Sequence, residues 1–267
     1  MFKKIIKQYI LHPLLGKKMF QPFFERFHFI ALQGMNFYGV GIKESGEEAV
    51  LKYFFNNLDK NIQPIIFDVG ANIGDYSIAI NSIFKERAQV YCFEPSKETF
   101  AILRENLKNY KNIKLYNFGF GQENKTSVLY SNEKGSGLAS LYDRKLEDHG
   151  IKMNQQENVI IKRLDDFFSE NNIGHIHFLK MDVEGNELNV LKGAEETIKS
   201  GVVDIIQFEF GGCNIDSRTF FKDFFDFLNP NYKIYRILKD GIKLIDKYKE
   251  EQEIFLAINY LAISRKL

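Results

Sequence analysis

Ile65-Ile66-Phe67-Asp68-Val69-Gly70-Ala71-Asn72-Ile73-Gly74-Asp75-Tyr76-Ser77 is the stretch whose reading decides the fold. It begins after Pro64 as an unbroken apolar run, the pattern of a strand covered on both faces. It breaks at glycine and asparagine, then resumes at helical spacing through Ile78, Ala79, Ile80 and Ile83. Buried strand, glycine turn and helix together form the opening unit of a doubly wound α/β sheet. Gly70 and Gly74 would let a ligand approach the backbone where the new helix leaves its first N–H groups unpaired. Asp68 closes the strand and is expected to face that ligand. A carboxylate there suits a cationic or hydroxyl-rich group and repels a bare pyrophosphate.

Outward from this unit, strands and helices alternate. Gln89–Phe93 reads as the second strand, ending in Glu94-Pro95, with Ser96 capping a helix to about Asn109. Residues 113–118 read as the third strand, 177–181 as the fourth and 202–210 as the fifth. The last two strands are expected at 233–238 and 254–263. Between the third and fourth strands, residues 122–162 form an insertion with short strands at 126–130 and 159–162 around a polar stretch. A segment of that length inside a compact domain is usually functional or mobile. Residues 188–198 read as one helix, and Phe220, Phe221, Phe224, Phe225 and Leu228 as the apolar stripe of another, facing the core. The expected architecture is a seven-stranded, mostly parallel sheet with helices on both faces over 61–267, preceded by a helical extension over 1–60.

The extension is basic and aromatic, with Lys3, Lys4 and Lys7 followed by Phe20, Phe23, Phe24, Phe27 and Phe29. Packing on the main domain is one reading. Resting on an anionic lipid surface or on a second subunit is the other. His12, Pro13, Lys17 and Lys18 interrupt the apolar residues, so neither a signal peptide nor a membrane span is expected. Ser45-Gly46-Glu47-Glu48 carries the S-x-x-E capping pattern for a helix over 46–58.

Charge narrows the function classes. The 36 basic and 35 acidic side chains leave a net charge of +1, without the basic excess of a nucleic-acid binder. The two cysteines, Cys92 and Cys213, read as buried and reduced. That places the chain in the cytoplasm, either free or peripheral to the inner membrane face.

Five acids fall at strand ends, where open α/β sheets bind ligands: Asp68, Glu94, Asp182, Glu184 and Glu209. Glu94 ends the second strand, where a carboxylate accepts hydrogen bonds from a ribose diol. Nicotinamide enzymes pair that acid with G-x-G-x-x-G, whereas here the spacing is Gly70-x-x-x-Gly74. S-adenosyl-L-methionine carries a sulfonium cation and no phosphate, and fits an acidic, glycine-lined pocket better. A nicotinamide oxidoreductase and a non-catalytic module that keeps the fold remain the alternatives.

The segments 67–74 (FDVGANIG), 93–95 (FEP), 164–167 (LDDF) and 178–194 (FLKMDVEGNELNVLKGA) together resemble the FkbM-type methyltransferases, with the last block the most specific. The resemblance implies a class I S-adenosylmethionine fold and methylation of a hydroxyl on a sugar or natural product, as in surface glycan biosynthesis. Asp68, Gly70, Asn72, Gly74 and Glu94 are then expected to hold the cofactor, with Asn117 and Phe118 near the adenine. Asp182 and Glu184 are the candidates to orient or deprotonate a small-molecule or glycan acceptor. His149, in the insertion, is a further base candidate that reads more simply as solvated. Asp182, Glu184 and Glu209 could converge as hard oxygen ligands, but no metal-binding spacing supports it and no metal is expected.

Overall fold

The computed structural model describes residues 12–39 and 41–267; Lys3, Lys4 and Lys7 lie outside them. The helices, in chain order, are α1 (Gln21–Gly34), α2 (Gly41–Glu44), α3 (Glu47–Asn57), α4 (Asp75–Phe84), α5 (Lys97–Leu107), α6 (Leu164–Glu170), α7 (Glu187–Gly193), α8 (Glu195–Ser200), α9 (Cys213–Ser217) and α10 (Phe221–Leu228). The strands are β1 (Ile65–Val69), β2 (Gln89–Phe93), β3 (Ile113–Tyr116), β4 (Gly119–Phe120), β5 (Lys125–Ser131), β6 (Gln155–Lys162), β7 (Ile176–Met181), β8 (Val203–Phe210), β9 (Tyr232–Leu238), β10 (Gly241–Ile245) and β11 (Ile258–Ser264).

Eight strands form the main sheet in the order β10-β9-β11-β8-β7-β1-β2-β3. Parallel pairing runs from β3 through β8, and β11 enters antiparallel between β8 and β9. This is the expected class I arrangement with one strand more than seven. The additional β10 forms a hairpin with β9, and its residues are half-buried or exposed, so it lacks the apolar run that marks the core strands.

Alternation along each strand divides the core between the two faces. Phe67, Val69, Phe93, Leu179 and Phe208 pack under α7, α8 and α10 with the aromatic cluster of Phe118, Phe120 and Phe167. Ile66, Val90, Cys92, Phe178 and Ile205 pack under α3, α4 and α5. Helix α3 belongs to this second layer, with Phe54 tilted against both Phe84 and Phe178 at 5.5 Å.

Several local expectations change. Ser45 does not cap α3 through Glu48; its hydroxyl donates to Glu47 Oε2 at 2.7 Å, and left-handed Gly46 is the N-cap. Glu47 is drawn inward because Gln207 Nε2 donates to its other oxygen at 2.6 Å. The helix expected over 188–198 is broken at Ala194 into α7 and α8. The break lies beside Gly193, where an added Cβ would lie 1.9 Å from the Gly121 carbonyl oxygen. Phe220 is 52% exposed at the N-cap of α10, outside the stripe that buries Phe221, Phe224, Phe225 and Leu228. Asn117 and Phe118 lie beyond β3, and the chain enters a second sheet at Gly119, ordered β4-β6-β5. That small sheet and the loop between β5 and β6 stand over the carboxyl ends of β1, β2 and β7.

Candidate active site

The glycine turn is pinned between two strand ends. Gly70 and Ala71 both donate N–H to the Phe93 carbonyl at 3.0 Å, and an added Cβ on Gly70 would lie 1.8 Å from the Asp182 carbonyl oxygen. Gly70 also has φ 76°, so the turn needs glycine for both conformation and clearance. Gly74 plays a different part. It is the left-handed N-cap of α4 and lets Leu103 and Leu107 of α5 pack close, away from the ligand side.

A cavity opens beside this turn. Gly70, Asn72, Glu94, Asp182 and Glu184 line it, with Phe120 and Ile161 on its apolar side. Ser136, Gly137, Ala139 and Leu141 of the insertion roof it. Glu94 is buried, and each of its oxygens accepts one backbone hydrogen bond, from Asn72 N at 3.1 Å and Ser96 N at 2.9 Å. Burial pushes this carboxyl up to about 7, against the pull of those two hydrogen bonds. Asn72 is held at φ 47°, and its buried Oδ1 has no hydrogen-bond partner. A buried acceptor without a donor is costly, and this one belongs to a cavity-lining residue.

Not every expected residue reaches this space. Asp68 lines neither the cavity nor its mouth: alternation along β1 turns it toward the α4 layer, where it is fully buried. There it accepts from Ser77 Oγ at 2.6 Å and pairs with Lys180 at 3.1 Å. Asn117 lies behind the wall, its Nδ2 donating to the carbonyls of Glu94 and Pro95 at 2.9 and 3.1 Å. Phe118 is buried among Phe93, Tyr116 and Phe120. Gly119 and Phe120 line the cavity in their place, because the chain turns into the second sheet there. His149 is exposed in a short 3-10 turn.

On the far side of Gly70, Asn72 and Asp182, a second cavity is lined by Glu47, Tyr76, Lys180, Glu209 and Asn259. Asp182 therefore borders both spaces, with its side chain 46% exposed. Lys180 Nζ sits 3.7 Å from Asp182 Oδ2 and donates to the Gly70 carbonyl at 3.3 Å. Burial works against its charge, but Asp68, Asp182 and Glu47 outweigh that and hold the ammonium above its ordinary range. Glu209 is held well above the usual carboxylate range by burial and by Asp182, Glu184 and Glu187 around it.

Glu184 adopts φ 50°, a conformation uncommon for a side-chain-bearing residue. Its carbonyl accepts from Ser140 Oγ at 2.7 Å, and its carboxylate pairs with Arg144. Burial first, and Asp182 second, raise its carboxyl to about 8. Arg144 also reaches Asp216 of α9 at 3.5 Å, so the insertion is clamped onto both the loop after β7 and α9. Glu187 stiffens the same loop, accepting from the backbone N–H of Val183 at 2.9 Å and of Gly185 at 3.1 Å. Sequence reasoning passed over Arg144, Ser140 and Glu187. The first two sit in a polar stretch with no periodic signal, whereas Glu187, two residues past Gly185, carried a legible helix-start pattern.

The donors that come closest to a metal set around this site are Glu184, Glu209 and Cys213, with ligand atoms within 4.8 Å of one another; Asp182 is not among them. Arg144 already compensates Glu184, and burial pushes the Cys213 thiol up, against thiolate formation.

The family model described as the methyltransferase FkbM domain matches residues 68–237. 2-O-methyltransferase NoeI of Sinorhizobium fredii is 28% identical over 145 residues, covering 51% of this chain and 59% of that protein. Hexuronic acid methyltransferase AglP of Haloferax volcanii is 25% identical over 169 residues, covering 62% and 64%. Methyltransferase 1 of Beauveria bassiana is 29% identical over 150 residues, covering 49% and 58%. The chain thus spans 58 to 64% of the length of these curated relatives.

Proposed function

The chain belongs to the FkbM methyltransferase family, and from that premise we propose that it is an S-adenosyl-L-methionine-dependent O-methyltransferase acting on a hydroxyl of a sugar or natural-product acceptor. The observation that carries this reading is the shared border of the two cavities. Glu94 lies in one, Glu47 and Glu209 in the other, and Gly70, Asn72 and Asp182 line both. The relatives named for 2-O and hexuronic acid methylation support the acceptor class.

The cavity under the insertion suits the cofactor's nucleoside. Each Glu94 oxygen is engaged by one N–H, which leaves lone pairs for two ribose hydroxyls. The partnerless Oδ1 of Asn72 offers an acceptor to an N–H or O–H of the same ligand. Phe120 and Ile161 supply an apolar wall for a base. Bound S-adenosylmethionine supplies a methyl already activated by the positive sulfur beside it.

The protein's remaining task is alignment and removal of one proton. Asp182, half-exposed at the junction, is the group to accept the proton of an acceptor hydroxyl held in the second cavity. Glu184 has a carboxyl raised to about 8 and a carboxylate engaged by Arg144. It positions the loop and the roof in this reading and does not act as the base. Asp182 borders the acceptor side, and Glu47 and Glu209 line it with carboxyls raised by burial, so a neutral acceptor is favoured over an anionic one, the more so as pH rises.

Calorimetric titration with S-adenosylmethionine, followed by transfer of its labelled methyl to neutral hexopyranosides, tests the proposal. Saturable binding and an alkali-stable methyl ether are expected. Replacement Asp182→Asn should lower turnover roughly 10²- to 10⁴-fold with cofactor affinity nearly unchanged. Absence of binding, or full turnover in the variant, would remove the reading.

A further inference from the structure

Helix α1 projects its apolar side into solvent. Around a wheel of 100° per residue within α1, one arc of about 120° is uninterrupted by any charge. Phe23, Phe24, Phe27 and Ile30 share it, and Met19 and Phe20 stand in the 3-10 turn that leads into α1. Met19 is 77% exposed, Phe23 and Phe27 each 61%, and Ile30 55%. Phe23 and Phe27 stack on each other at 6.4 Å and 12°. Among the described residues, the rest of the protein anchors only the far end of this segment: Leu32 and Phe37 are buried, and Asn36 donates to the carbonyls of Ser45 and Ile237. A contiguous exposed apolar face of this kind is an interaction site.

We propose that α1 lies flat on an anionic membrane surface, with Phe23, Phe27 and Ile30 inserted between headgroups. Its 14 residues rise only about 21 Å, short of the roughly 30 Å hydrocarbon core. Among the described residues no helix is long and apolar enough to cross a bilayer. Charge selects the occupant. Arg26 borders the apolar arc of α1, Lys17 and Lys18 are exposed in the turn that leads into it, and Glu25, the single acid of α1, lies on the opposite side. A second copy docked face to face would bring like charges together, whereas anionic headgroups complement them. Beyond α1 the chain lines the second cavity at Gly39, Gly41 and Ile42. Surface binding is thereby tied to the acceptor side of the site, and the inference does not depend on the chemistry proposed for that site.

The chain has no tryptophan, so the variant Phe23→Trp carries a single fluorescent reporter. Co-sedimentation of the full chain with vesicles of phosphatidylglycerol and phosphatidylcholine is expected, together with a blue shift of the introduced indole's emission. Vesicles of phosphatidylcholine alone should bind about tenfold less or weaker still. The double variants Phe23→Ser/Phe27→Ser and Lys17→Glu/Lys18→Glu change exposed positions, so their melting temperatures should match the parent while vesicle binding is lost. Light scattering completes the test. A dimer that the serine variant dissolves, without vesicle binding by the parent, overturns the proposal in favour of a subunit interface. Equal binding to neutral vesicles, or none to either, overturns it as well.

Discussion

Lys180 on β7 stands directly opposite Asp68 on β1 in the parallel register, its ammonium 3.1 Å from Asp68 Oδ1 with both side chains buried. The pair joins the two central strands beneath the glycine turn, and the same ammonium also holds the Gly70 carbonyl. Asp68 is thus a support for the site and not one of its walls.

Removing one partner leaves a buried charge without compensation. Lys180→Met should cost about 3–5 kcal/mol, read as a lower urea midpoint. The double variant Asp68→Asn/Lys180→Met should recover much of that loss, because neither charge then remains. A single variant as stable as the parent would show that the pair is not buried as described.

Glu94 predicts how cofactor affinity depends on pH. With its carboxyl raised to about 7 by burial, it loses its charge as pH falls through neutrality, well above the ordinary 4.5. A ribose diol donates best to the ionised form, so S-adenosylmethionine should bind up to about tenfold more weakly at pH 6 than at pH 8. The step should vanish in Glu94→Gln, whose affinity stays low throughout. Calorimetry at four or five pH values would decide it.

Stability should move the other way over the same range. Glu184 is raised to about 8 and Glu187 to about 7, both chiefly by burial. Between 4.5 and those values the folded chain binds more protons than the unfolded one, so stability falls as pH rises and levels off above about 8. Urea unfolding from pH 5 to 9 measures this, and Glu187→Gln should flatten part of the slope.

Arg144 clamps the insertion to the loop after β7 through Glu184 and to α9 through Asp216. Arg144→Ala should cost about 2–4 kcal/mol and expose residues 132–150 to trypsin. Arg144→Lys should restore only part of the loss, since an ammonium cannot reproduce the guanidinium fork across two carboxylates. Unchanged proteolysis in the alanine variant would show that the roof stands without this clamp.

Acceptor charge is a further readout of the second cavity. Glu47, Asp182 and Glu209 line it, and Lys180, its one lysine among the described residues, is already paired. Methyl glucoside should be turned over with a kcat/KM about tenfold or more above that of the corresponding glucuronide. Burial and its acidic neighbours raise the Glu209 carboxyl well above the usual range, so the gap should widen as pH rises, and Glu209→Gln should remove that widening. A preference for the uronate would mean that the acceptor lies elsewhere.

Near-neighbour patterns carried most of the fold. Apolar runs and the glycine turn marked the parallel strands and the helix after β1, and Ser96 capped α5 through Thr99 as its position implies. Such features depend on residues a few places apart, so they can be read along the chain. Strand β10 was not legible, because a half-exposed hairpin strand carries no continuous apolar signal.

The sequence by itself determined the alternating α/β order, the glycine turn at Gly70 and the acids at the strand ends, because backbone conformation and strand burial are written in short-range residue patterns. Only the tertiary structure decided which acids line the cavities. Asp68 was turned inward by strand alternation and claimed by Lys180 from far along the chain, while Glu184 was claimed by Arg144 from the insertion. The physical reason is that a buried carboxylate must find its compensating charge, and that partner is chosen by packing across the sheet and not by distance along the chain.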